Sequence, residues 1–137
     1  MTDSDKNASD LEAALLRSRS TDGMTRNRAI TELAEYIQDE RAVARLHEML
    51  DDEVVTMQVD AADVLARQGG IGGLFLVLDE IGRRREDPDA DYMANRLYEL
   101  DASGEVEILA TVEPISSQLS ENGIIGFRQL KTLRGQG

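Results

Sequence analysis

The 137 residues include no cysteine, which excludes disulfides and thiolate metal sites, and their number suits one domain with a continuous core. Apolar residues make up 41% of the chain but aromatics only 4%, so the core has to be built from leucine, isoleucine, valine and alanine. Against 15 basic side chains stand 27 acidic ones, and the resulting charge of −12 repels nucleic acid and anionic membrane while drawing in basic partners.

The first ten residues, MTDSDKNASD, are polar and acidic, unlike a signal peptide, and no run approaches 18 consecutive apolar residues. Cytoplasmic residence is the expectation. Residues 1–8 are expected to be a disordered tail and 9–137 a single helical repeat domain. Ser9 or Asp10 can cap a short helix whose Leu11, Ala14 and Leu15 share a face. After a break at Thr21 to Gly23, Thr25 is predicted to cap a helix to about Gln38, with Ile30, Leu33, Ala34 and Ile37 at helical spacing. Asp39 or Glu40 then starts a partner helix with Val43, Leu46, Met49 and Leu50 as its stripe. These two make a first repeat over about 24–51.

Asp51, Asp52 and Glu53 open the next unit, over about 52–85, and place negative charge at a helix N-terminus where the macrodipole favours it. Val55, Val59, Ala62, Leu65 and Ala66 form its first buried face. Gly69 and Gly70 supply a corner. Leu74, Phe75, Leu78 and Ile81 follow, and the helix ends in Arg83, Arg84 and Arg85. In the third unit, over about 86–113, Asp87 is the expected cap with Pro88 at the first helical position. Met93, Ala94, Leu97 and Leu100 then give one stripe and Val106, Leu109 and Ala110 the other, across a corner at Ala102 to Gly104. Pro114 restarts the chain, a short segment stops at Asn122-Gly123, and Ile124 to Arg134 forms a last amphipathic helix. Residues 114–134 together are expected to cap the C-terminal end. No period-two strand pattern occurs.

Leu33, Leu65 and Leu97 lie 32 residues apart, with Ala34 and Ala66 one step later and Leu46 in register with Leu78. A period of roughly 20 to 50 residues marks stacked supersecondary units. The run Val59-Asp60-Ala61-Ala62-Asp63-Val64-Leu65-Ala66-Arg67-Gln68-Gly69-Gly70, preceded by Asp51 and Asp52, resembles a HEAT repeat in its short bacterial form, often called HEAT-like. Weaker echoes are Arg28-Ala29-Ile30 with Leu33-Ala34, and Met93 to Leu97. The likeness covers about 26–113; Gln58 and Asp60 stand where the family often has an arginine before its Ala-Ala pair.

The resemblance implies an all-α, right-handed α-α superhelix of about three helical hairpins with N- and C-terminal capping helices. It also implies a binding scaffold whose second helices, about 40–50, 70–85 and 104–112, line a concave face. Arg41, Arg45, Glu48, Asp79, Glu80, Arg83 and Glu107 would be exposed there.

Chemistry is sparse. His47 is the single histidine, and no serine sits in a nucleophile turn beside it. One histidine without cysteine cannot make a zinc site. Asp87, Asp89 and Asp91 have the spacing that opens a calcium loop, but Tyr92 and Tyr98 replace the required glycine and glutamate, so helix capping is the expected role. Gly69, Gly70, Gly72 and Gly73 match neither GxGxxG nor a P-loop and read as a closely packed corner. The carboxylate pairs Asp60 with Asp63 and Asp79 with Glu80 read as a solvated helix face rather than acid-base partners.

Charge is the remaining signal. Residues 51–101 hold −8 of the −12. If the repeats stack, the acidic turns gather into one negative ridge made of Asp51, Asp52, Glu53, Asp60, Asp79, Glu80, Glu86, Asp87, Asp89 and Asp91. The expected function is a non-catalytic scaffold without cofactor or metal that binds a basic protein. Its most concrete form is an immunity or inhibitor protein against a toxin nuclease domain. A generic adaptor or assembly factor, including the lyase-associated type, and an acidic mimic of DNA are the alternatives.

Overall fold

The computed structural model describes residues 3–136, and these are all-α, with no strand among them. In chain order the helices are α1 (Asp3–Arg17), α2 (Gly23–Ala34), α3 (Glu40–Met49), α4 (Val55–Gln68), α5 (Gly70–Arg83), α6 (Ala90–Ser103), α7 (Ile108–Val112) and α8 (Glu121–Leu133). A 3-10 turn over Glu113–Gln118 links the last two.

Local chemistry explains most boundaries. Asp22, rather than Thr25, caps α2 by accepting hydrogen bonds from the Thr25 amide and hydroxyl. Asp39 caps α3 through the Arg41 amide, and Ser120 caps α8 through Gly123 N–H. Asn122 and Gly123, expected as a stop, therefore lie in the first turn of α8. Gly70 (φ 64°) and Gly104 (φ 80°) take the left-handed backbone at the two corners predicted for them. α1 begins at Asp3, inside the segment expected as a tail, while Met1 and Thr2 lie outside the described residues.

Two rows of helices result. Gly23 approaches Met57 and Asn27 bonds Asp60 between α2 and α4; Asp63 bonds Arg96 between α4 and α6. Residue numbers rise together across each seam, Arg67 meeting Glu105 beyond Asp63 and Arg96, so the three helices run parallel. In the second row α3 packs on α5 and α5 on α7. The core runs between the rows, where Leu33, Leu65 and Leu97, and likewise Leu46 and Leu78, are completely buried. Truncating any one of them to alanine removes about 2–5 kcal/mol.

The last helix, α8, lies chiefly along α5 and also touches α6 and α7. A Cβ at Gly82 would collide with the Asn122 carbonyl, and one at Gly126 with the Leu78 carbonyl. The two glycines let the backbones of α5 and α8 touch. Ser120 at the head of α8 also donates to Asp79 of α5. Glu80, expected with Asp79 to be exposed on the concave face, is buried.

Candidate functional site

The carboxylates of the expected ridge divide into two sets according to whether an arginine reaches them. Asp52 pairs with Arg26 through both carboxylate oxygens, its side chain only 8% exposed, and also holds the Val54 amide. Glu80 (6% exposed) is clasped by Arg83 and Arg84. Asp51 meets the same two guanidinium groups, at 2.8 Å from Arg83 and 3.3 Å from Arg84. Asp87 accepts from Arg84 at 3.0 Å and from the Asp89 amide.

Arg84 is the hub of this arrangement. At 9% side-chain exposure it also donates to the Leu50 carbonyl and to the side-chain oxygen of Gln58. Gln58 in turn donates to the Asp52 carbonyl. The acidic turns of neighbouring units thus do come together, as the stacking argument requires, but around arginines that neutralise them. Asp52 and Glu80 are corrected from exposed contact residues to interior ones: an unpaired carboxylate could not stay there, and each has a cation to hold it. The Asp89 amide and the Arg84 guanidinium keep the Asp87 carboxyl below its usual range. Asp52 similarly raises the Arg26 guanidinium, by hydrogen bonding to its charged form.

The second set has no arginine, and all of it but the half-buried Asp79 is exposed. Among the described residues no cation lies within ion-pair distance of Glu53, Asp60, Asp79, Glu86, Asp89 or Asp91. Asp60 takes only the Asn27 amide and Asp79 only the Ser120 hydroxyl. Asp89 occupies the N-cap position of α6 without a side-chain capping bond, and α4 is likewise uncapped by any side chain. Asp89, rather than the expected Asp87, stands at the N-cap of α6; Asp52 and Asp87 each hold one turn amide, of Val54 and Asp89, whereas the side chains of Glu53, Asp89 and Asp91 make no hydrogen bond among the described residues.

Beside these free acids lies a feature that sequence reasoning missed. Val55, Thr56, Val59 and Asp60 of α4, with Tyr92 of α6 and Asp89 before it, line an open groove of about 550 Å³. Tyr92 is 59% exposed. Val55 and Val59 were assigned to the buried face, yet both remain partly exposed. A signal existed in Tyr92, which follows directly on the acidic run 86–91 in the exposed first turn of α6.

No protein-family model, curated protein or solved structure matches the chain. No helix among the described residues is long and apolar enough to cross a membrane. Asp87 is committed to Arg84, and no group of three metal-ligating side chains occurs among the described residues.

Proposed function

We propose that this chain is a non-catalytic protein-binding scaffold, a right-handed superhelix of about three HEAT-like hairpins that docks a basic protein on its outward carboxylates. One observation carries the binding reading: Glu53, Asp89 and Asp91 neither cap a helix by their side chains nor pair with a cation, although arginines take up the acids next to them. Their charge, bound in no ion pair of the described residues, is available to another molecule. Cross-seam contacts at near-constant separation support the repeat reading. Asn27 with Asp60, Asp63 with Arg96 and Asp101 with Arg134 are each 33 residues apart, and Asp51 with Arg83 are 32 apart. Those separations echo the 32-residue leucine period.

The most concrete form of this reading is an immunity or inhibitor protein, acting in the cytoplasm, that covers the active cleft of a toxin nuclease. A nuclease presents cationic side chains to the phosphate backbone, and a surface of free carboxylates is their complement. Affinity capture from the native host followed by mass spectrometry tests it. A basic partner should be recovered, and Glu53→Lys, Asp89→Lys and Asp91→Lys should slow its association at low salt. Recovery of neutral or acidic partners alone would refute the reading, and a basic partner without nuclease activity would refute its immunity form.

A further inference from the structure

We infer that the groove between α4 and α6 seats an amphipathic, cationic segment of the partner, an aliphatic side chain on Val55 and Val59 and a lysine or arginine over Tyr92 between Asp60 and Asp89. This deepens the docking function proposed above and rests on it. The lining asks for two chemistries in one occupant. Val55, Val59 and Tyr92 share one open concavity with Asp60 and Asp89, both exposed and without a cation within ion-pair distance, Asp60 accepting only from the Asn27 amide.

A lysine or arginine side chain matches both demands, because its methylene stem covers apolar surface while its charged end reaches the carboxylates. The face of Tyr92 adds a cation–π contact. Complementarity also selects among occupants. Nucleic acid and anionic lipid bring the wrong charge. A second copy docking the same groove symmetrically would set Asp60 and Asp89 against their own equivalents. This face belongs to the parallel row of α2, α4 and α6, away from the α5 surface that α8 covers.

The test uses the full chain and two 14-residue peptides of equal charge, one with lysine and leucine at helical spacing, the other with serine replacing leucine. Binding is followed by fluorescence anisotropy at physiological salt and by amide chemical shifts. The leucine peptide should saturate the protein and move the amides of 55–60 and 89–92. Its serine counterpart should bind about tenfold more weakly, and Tyr92→Ser or Asp89→Lys should each cost about tenfold with the leucine peptide. Glu121→Lys, an equal charge change on α8, should have less than about a twofold effect.

Equal binding of both peptides, equal loss with Glu121→Lys, or shifts centred elsewhere would overturn the assignment. So would self-association that moves the same amides without peptide, which would give the groove to a second copy. Tyr92 is exposed, so Tyr92→Ser does not endanger the fold. A native basic partner slowed by Glu53→Lys and Asp91→Lys but indifferent to Tyr92→Ser would leave the proposed function standing and remove only the groove.

Discussion

Asp52 and Glu53 are neighbours in the chain, carry the same charge and begin the same helical unit, yet one is sealed against Arg26 and the other is exposed with no cation within ion-pair distance. The same division separates Asp87, held by Arg84, from Asp89 two residues later. What differs is whether an arginine is held in place beside each one. Asp52 meets Arg26 from 26 positions earlier, whereas Asp87 meets Arg84 only three positions away, an arginine itself fixed by the Leu50 carbonyl 34 positions earlier and by Gln58. Acid density along the chain locates the turns; it does not say which carboxylates are free to bind.

The strongest way to break this contrast is at its hub. Arg84→Met would leave Glu80 with the more exposed Arg83 alone and would strip partners from the Leu50 carbonyl and Gln58. Breaking a buried charge network by removing one partner costs about 3–5 kcal/mol, to be read from the midpoint of urea unfolding. Loss of less than about 1 kcal/mol would mean that the inward acids are not part of the fold.

Asp52→Asn should rank second, at about 2 kcal/mol, because Arg26 keeps one further acceptor, the Ser20 carbonyl. Arg26→Met with Asp52→Asn should cost less than the two single changes combined, since each alone strands a buried group. Additive losses would show that the two side chains do not act on each other.

Asp87 sharpens the comparison through pH. Its carboxyl titrates below the ordinary value of 3.8 because the Asp89 amide and Arg84 favour the charged form. A group whose folded value is depressed stabilises fully above its unfolded value and loses that contribution as pH falls through the folded one. Wild type should therefore exceed Asp87→Asn in stability at about pH 7, and the gap should close on acidification to about pH 2. A gap that widens in acid would contradict the pairing.

Most of the helical layout was legible in the sequence because it follows from local signals: the spacing of Leu33, Leu65 and Leu97, the acids and glycines at the turns, and the arginines at the end of α5. Four features were not legible, each for a non-local reason. The packing of α8 on α5 depends on Gly82 and Gly126 facing each other's backbones, and a glycine inside a helical pattern does not announce its partner. Burial of Glu80 depends on Arg84 also bonding a carbonyl 34 residues earlier. The groove exists because Tyr92 and Val59, assigned to different units, meet across the α4–α6 seam. Gln58, read only as a departure from the family's arginine, proves to be a buried tie between the Asp52 carbonyl and Arg84.

The smallest effect on stability should come from the outward acids, and that is what makes them informative. Changing Glu53, Asp89 and Asp91 to Gln, Asn and Asn removes no side-chain hydrogen bond or ion pair of the described structure. Some favourable interaction with the helix dipoles is lost, but mutual repulsion in a chain of charge −12 is relieved, so unfolding should move by no more than about 1 kcal/mol for all three. Association with a basic partner should slow by about tenfold at low salt, and the difference should shrink as added ions screen the encounter. The contrast therefore predicts opposite profiles for neighbouring residues: Asp52→Asn costs stability, whereas the outward triple change costs association rate. If the triple variant unfolded as readily as Asp52→Asn, both sets would serve the fold alone and the binding surface would have to be sought elsewhere.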